Sequence, residues 1–246
     1  MLEADVHAYL RSVAGPHAHR VGPFVIRFDE HDDALPFNYA IPDDGAAPTA
    51  DDIGELVRAF RSRARTPRLE YVPTAAPKVE EALLGFTPEG RFPLMVCRPD
   101  EAADPVTEGV HVVLVTEDAD LWRVAQVMNA AFDAPAATEH DVARLRRALD
   151  GGGLVASATD TATGEAVGAG QLGSPYHGVA EVAGIAVLAS HRRRGIAGAV
   201  TALLTRAGGA AGITTPFLTP GDDEAGRVYA RVGYRKVGEM LHTSLR

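Results

Sequence analysis

One stretch of the chain, residues 181–199, changes its hydrophobic period half way along. Its first part is an apolar run of Val, Ile and Ala, long enough for a strand and too interrupted by Gly for a good helix. After a basic turn, Val200, Leu203 and Leu204 fall at helical spacing. The pattern therefore predicts a buried strand, a glycine-bearing turn and a helix, in that order.

The remaining apolar positions predict further helices and strands along the whole chain. Helices are predicted over residues 3–14, 51–65, 78–84, 118–132, 139–149 and from Asp222 onward. Strands are predicted over residues 24–28, 38–41, 69–72, 91–98, 110–115, 153–159, 166–172, 179–187, 215–218 and from Tyr234 onward. Strands outnumber helical crossovers, so we expect an α/β fold with a mixed central sheet flanked by helices.

A polar segment, residues 100–108, contains Pro105 and few apolar residues, which is typical of a linker. It predicts two domains, residues 1–105 and residues 106–246.

The turn after the central strand has the composition of an anion site. Three arginines, Arg192, Arg193 and Arg194, precede a small-residue run at residues 195–198. The first amides of a helix have no partner within it and form the positive end of its dipole, and small residues let a phosphate approach them. The turn predicts a pyrophosphate site built from these arginines and from Gly195, Ile196, Ala197 and Gly198. The alternative is a strand-turn-helix corner with a solvated basic turn.

Two motifs in this order resemble the GNAT family of N-acetyltransferases. The first is Arg192-x-x-Gly195-x-Ala197. The second lies in residues 222–234, DDEAGRVYARVGY, where this chain has Asp222 in place of the family's usual Asn and Tyr in place of its usual Phe at the end. Two motifs in the expected order make a chance match improbable.

The resemblance implies an acyl-CoA N-acyltransferase fold and transfer of an acetyl group from acetyl-CoA to a primary amine by direct attack in a ternary complex. It further implies that the central strand offers backbone groups of Ile185, Ala186 and Val187 to the cosubstrate. On the later helix, it implies that Asp222 and Ala225 contact the cosubstrate.

Two side chains are candidates for proton transfer. Glu181 is the charged residue on the central strand, where the family often has a carboxylate, so it is the candidate base; a glutamate at a solvated strand start is the alternative. His177 would share the strand face of Glu181 by period two and is the other candidate base. Tyr229 matches the family's acid for the leaving thiolate, and the alternative is an aromatic packing residue.

The first half of the chain resembles a degenerate copy of the same lobe. Strand, proline turn, short helix, Gly85-Phe86 and strand repeat the order seen around Gly233-Tyr234. Aligning the two glycines puts Glu81 where Tyr229 stands, and no glycine turn precedes the helix at residues 51–65. The repeat predicts an N-terminal GNAT-like lobe that lacks a cofactor site.

Composition and charge limit the classes of partner that we expect this protein to bind. The net charge is -9, with 11 Lys and Arg against 18 Asp and Glu in residues 1–105, so we expect no nucleic-acid partner. No apolar run is long enough for a membrane span, and a single cysteine, Cys97, is typical of a reducing compartment, which favours a cytoplasmic location. No metal motif is present. The expected partners are a small-molecule or protein amine and, as a further option, a second copy in a homodimer.

Two functions from other classes remain open at this point. One is a non-catalytic acyl-CoA sensor that keeps the pocket and lacks the base. The other is an interaction module in which the arginine turn meets an acidic partner, and this reading predicts no stabilisation by CoA.

Overall fold

The computed structural model describes residues 2–15 and 18–246, which fold into two compact units. One unit comprises Met1–Leu94 and Lys236–Arg246, and the other comprises Met95–Arg235. This division differs from the boundary predicted at residues 105/106. The reason is strand pairing: the last strand of the chain pairs within the first unit, and the end of the strand before the linker pairs within the second.

The described residues of the first unit form three α-helices and a sheet in the order β1-β2-β3-β4-β11-β5. Its helices are α1 (Leu2–Val13), α2 (Ala50–Arg61) and α3 (Val79–Ala82). Its strands are β1 (His19–Val21), β2 (Phe24–Arg27), β3 (Tyr39–Pro42), β4 (Arg68–Tyr71), β5 (Thr87–Val96) and β11 (Arg235–Ser244). The strands β3 and β4 run parallel, and α2 is the crossover between them.

The second unit contains four helices and a sheet in the order β10-β9-β8-β7-β6, and the last residues of β5 pair with β10. Its helices are α4 (Asp118–Ala131), α5 (Glu139–Asp150), α6 (Ile196–Ala210) and α7 (Asp223–Val232). Its strands are β6 (Val110–Leu114), β7 (Leu154–Asp160), β8 (Ala166–Leu172), β9 (Val179–Val187) and β10 (Thr215–Leu218). The strands β9 and β10 run parallel, and α6 is the crossover between them.

The sheet of the second unit is covered on both faces. The helices α4 and α5 bury Leu121, Val124 and Leu145 against the sheet residues Val155 and Ala186. Burying such side chains contributes roughly 1.5–3 kcal/mol each, which holds these helices in place.

The helix α6 covers the other face and approaches β8 closely, because two of the strand's positions are glycines. A Cβ on Gly168 would lie 2.6 Å from Ile196 Cγ2, and a Cβ on Gly170 would lie 2.8 Å from Val200 Cγ1. The closeness of α6 to the strands therefore depends on residues that have no side chain.

The predicted fold class is confirmed: a mixed sheet is flanked by helices. The strand β1 was missed, because three residues are too short to show a period of two. Among the described residues, no helix combines the length and the hydropathy that a membrane span requires.

Candidate functional site

The strands β9 and β10 separate after only three paired positions. Their parallel register runs from Val179–Thr215 to Glu181–Phe217. Beyond it, Leu218 pairs with Met95 of β5, whereas the rest of β9 continues along β8. The side of β9 that faces β10 is therefore open from residue 182 onward, as far as the described strand pairs show.

The opened part of β9 contains a bulge at Gly184, which has a φ of +63°. A Cβ at this glycine would lie 3.0 Å from Met128 Cε of α4. After the bulge, the Leu188 amide donates to the Val167 carbonyl at 3.0 Å. Since backbone groups alternate sides along a strand, the amide of Val187 points away from β8, toward the opened side. The bulge is the kind of feature that a glycine inside a strand pattern indicates.

The turn after β9 leaves the start of α6 open to an anion. Gly195 is the N-cap residue at a φ of +81°, and within residues 2–15 and 18–246 no side chain caps the helix. The first amides, from Ile196 to Gly198, therefore lack a side-chain acceptor. A Cβ on Gly195 would have only Thr107 Oγ1 near it, at 3.6 Å, and that buried hydroxyl has no hydrogen-bond partner among the described residues. A glycine conformation, unpaired amides and an orphaned hydroxyl fit the pyrophosphate predicted here.

The three arginines of the turn are in different environments. Arg192 donates from Nε to the Val187 carbonyl at 3.3 Å and from Nη2 to the Ala131 carbonyl at 3.2 Å. Arg193 is exposed at a φ of +66°, and within the described residues its side chain has no hydrogen bond or ion pair. The sequence predicts the same role for all three arginines, whereas in the structure their side chains have different contacts.

Arg194 belongs to a network around Asp160, a buried carboxylate at the end of β7. Asp160 Oδ2 lies 3.2 Å from Arg194 Nη1 and 3.2 Å from His191 Nε2, and Oδ1 accepts from the Ala162 amide. The Ala162 amide and the Arg194 guanidinium both lower the pKa of Asp160 below its usual range. Sequence reasoning missed this carboxylate, because no local pattern connects it to a turn 31 residues away.

The two candidate bases do not share a strand. Glu181 lies on β9 where the pairing with β10 ends, and it is partly buried. His177 lies in a two-residue turn before β9, closed by mutual hydrogen bonds between Tyr176 and Val179. Its φ of +50° and that of Gly178, +77°, are typical of a type I′ turn. The expectation that His177 shares the strand face of Glu181 is therefore wrong, because β9 begins only at Val179.

Tyr229 lies on α7 and is largely removed from water. Burial, and to a lesser degree the charge of Asp222, raises the pKa of Tyr229 to about 12. Its ring packs edge-on against Tyr234 at 6.3 Å between centroids, and the Tyr234 hydroxyl is 2.7 Å from Thr205 Oγ1. The Tyr229 phenol therefore stays protonated at neutral pH.

The other predicted residues of the second motif have local roles in α7. Asp222 is the N-cap residue, and its Oδ1 accepts from the Ala225 amide at 2.7 Å. The same helix packs against Gly198 of the glycine turn: a Cβ on Gly198 of α6 would touch Val228 and Val232 of α7 at 3.7–3.8 Å, so this glycine lies where the two helices pack. Contacts of Asp222 and Ala225 with a cosubstrate stay predictions.

Ile185 and Ala186, the remaining predicted positions on β9, point to opposite faces of the sheet. Ile185 Cδ1 lies 2.5 Å from a Cβ placed on Gly170, on the face of α6, whereas Ala186 packs in the core with α4. Only their backbone groups can contribute to a site at the opened strand. Among the described residues, no group of three or more His, Cys, Asp or Glu could hold a metal ion.

Comparison with known proteins agrees with this geometry. Residues 121–234 match the acetyltransferase (GNAT) family. A GCN5-related N-acetyltransferase from Kribbella flavida has a similar structure, with a TM-score of 0.79 and 25% identity over 99% of this chain and 95% of that one. No match was found among curated protein sequences.

Two further solved structures share the fold at lower identity. A GCN5-related N-acetyltransferase from Sphaerobacter thermophilus has a TM-score of 0.63 and 18% identity, over 78% of this chain and 65% of that one. A tandem GNAT protein from the clavulanic acid biosynthesis pathway has a TM-score of 0.60 and 14% identity, over 90% of this chain and 77% of that one.

Proposed function

We propose that this protein transfers the acetyl group of acetyl-CoA to a primary amine, because residues 121–234 match the GNAT acetyltransferase family. The observation that carries the proposal is the opening between β9 and β10 beyond Glu181–Phe217, followed by the turn at Gly195 and the start of α6 without a side-chain cap among the described residues. Acetyl-CoA, the cosubstrate of GNAT proteins, supplies the acyl group as a thioester.

The start of α6 binds the pyrophosphate in this proposal. The amides of Ile196, Ala197 and Gly198 donate to the phosphate oxygens, and the positive end of the helix dipole favours their charge. Arg193, which has no partner among the described residues, adds a free cation at the same turn.

The opened edge of β9 holds the thioester. The Val187 amide, which faces the opening, donates to the thioester oxygen as negative charge develops there. Tyr229, which is protonated at neutral pH, donates its hydroxyl proton to the departing thiolate.

Glu181 accepts the proton of the amine, directly or through a water. An ammonium with a pKa of ~10 has no lone pair, so attack requires its deprotonation. Glu181 lies where β9 leaves β10, at the entrance of the opening, and His177 is exposed in a turn outside the strand.

A panel of amines tests the proposal. Polyamines, amino-acid derivatives, aminoglycosides and lysine peptides are incubated with acetyl-CoA, free thiol is followed, and the product is analysed by mass spectrometry. We expect one class to gain an acetyl group on nitrogen. CoA binding without acetylation of any amine favours the acyl-CoA sensor, and absence of CoA binding by calorimetry contradicts the proposal altogether.

A further inference from the structure

We propose that Arg192 is a positioning residue that fixes the end of β9 and the end of α4, and that it does not bind the phosphates. The proposal rests on the proposed function, because the groups it positions are those assigned there to catalysis. In this proposal each arginine of the turn has a different role, and Arg193 is the one that contacts the phosphates.

The guanidinium of Arg192 is already used by two backbone carbonyls. One belongs to Val187, five residues earlier, and the other to Ala131, 61 residues earlier. Two of the five N–H donors of the guanidinium are taken by these carbonyls, which directs the side chain toward the ends of β9 and α4.

The contact with Ala131 completes α4. The last four carbonyls of a helix have no partner within it and form the negative end of its dipole. The last turn of α4 contains no basic residue of its own. Arg192 therefore supplies from a distant part of the chain the cation that helices usually place in their last turn.

The contact with Val187 fixes the proposed thioester amide. The Val187 carbonyl accepts from Arg192, and the amide of the same residue faces the opened side of β9. Since one residue's amide and carbonyl move together, loss of the guanidinium frees the amide to shift. A shift of this kind lowers turnover while the pyrophosphate contacts remain.

The other two arginines have different surroundings. Arg194 is held by Asp160, and Arg193 has no partner within the described part of the chain. Arg192→Gln and Arg193→Gln are therefore a matched pair, since each removes one charge from the same exposed turn.

The first measurement is CoA affinity by calorimetry. Arg193→Gln should weaken CoA binding about tenfold, the effect of one lost charge-assisted hydrogen bond at an exposed site, and Arg192→Gln should stay within about twofold of the parent. Equal weakening in both variants would overturn the proposal, because Arg192 would then act as a phosphate ligand.

The second measurement is amide hydrogen exchange without ligand. Arg192→Gln should speed exchange at the end of α4, over residues 128–134, and Arg193→Gln should not. Unchanged exchange in Arg192→Gln contradicts the proposal. This measurement needs no CoA, so it decides the role of Arg192 even if the parent fails to bind CoA and the proposed function falls.

The third measurement is steady-state kinetics with the amine found in the screen. Arg192→Gln should lower kcat about tenfold with little change in KM for acetyl-CoA, the signature of an interaction that matters in the transition state. Arg192→Lys keeps the charge and reaches one carbonyl, so its kcat should lie between those of the parent and Arg192→Gln. A raised KM with unchanged kcat would contradict the positioning role.

Discussion

The helices α2 and α6 begin at comparable places in their units, and their first turns are chemically opposite. Each is the crossover between two parallel strands. The helix α2 starts with a capping box, in which Thr49 Oγ1 accepts from the Asp52 amide and Asp52 accepts from the Thr49 amide at 2.8 Å. The helix α6 starts at Ile196, after the N-cap Gly195, with no side-chain cap among the described residues and no acidic residue in its first turn.

The difference is the one expected if the proposed anion site exists at α6 and not at α2. At α2, the amides that would meet a phosphate are already paired, and the carboxylates of Asp51 and Asp52 repel a second anion. At α6, the amides are unpaired and three arginines precede them. The proposal that the first half is a degenerate GNAT-like lobe is supported by this contrast.

The most decisive test of the comparison is the number of CoA molecules bound. We expect one CoA per chain, since only the start of α6 among the two crossover helices offers free amides. Calorimetry of the full chain with CoA gives the stoichiometry directly. A value of two per chain would mean that α2 binds a phosphate despite its capping box, and the degenerate-lobe proposal would fail.

Gly195→Glu places an acidic side chain at the start of α6, like those in the first turn of α2. A side chain and a negative charge then occupy the proposed pyrophosphate site, and CoA affinity should fall by at least about a hundredfold. Gly195→Ala is the control for backbone strain, since both variants lose about 1 kcal/mol of stability at a positive φ. A folded Gly195→Glu protein with the parent's affinity would remove the site.

Tyr229→Phe tests the later helix against its counterpart in the first half, where Glu81 stands at the aligned position. Removing the hydroxyl should lower kcat about 10²-fold, as expected for loss of a general acid, while CoA affinity is retained. Glu81→Gln, at an exposed position, is the matched control and should leave kcat unchanged. Equal kcat in Tyr229→Phe and the parent would return Tyr229 to a packing role.

Thr49→Ala opens the start of α2 without adding an arginine or a glycine. Loss of an N-cap costs about 1 kcal/mol, measurable by denaturant unfolding, and CoA affinity should not change. Thr49→Ser keeps the capping hydroxyl and should keep most of the stability. A second, weak CoA site in Thr49→Ala would show that the capping box alone closes α2.

The smallest expected effect is a pH dependence of the first unit. Burial lowers the pKa of His7 and of His242 below the ordinary value of 6.5. The unfolded chain therefore binds protons that the folded chain does not, and stability falls as pH drops below 6.5 toward the folded values. His242→Gln should make the free energy of unfolding depend less on pH. Denaturant titrations at about pH 7.5 and at about pH 5 would measure this change. If the free energy of unfolding depends on pH in the same way in His242→Gln and in the parent, His242 does not contribute to that dependence.

Much of the fold could be predicted from local pattern. The period of apolar residues located α4, α5, β7, β8 and β9 to within a residue or two, because each element buries one face or both. The two motifs located the helices that begin at Ile196 and Asp223. The unit boundary was not predictable in this way, because it depends on which strand each end of β5 and β11 pairs with.

The sequence by itself determined most of the element order and the glycine turn at Gly195, and it predicted the chemical type of the site, since these follow from neighbouring residues. Only the tertiary structure decided how the arginines are used. Arg192 meets a carbonyl 61 residues away and Arg194 a carboxylate 34 residues away. It also decided that the pairing of β9 with β10 ends at Glu181–Phe217, because this pairing joins segments that lie far apart in the chain. Contacts between segments so distant in the chain leave no periodic signal in either segment.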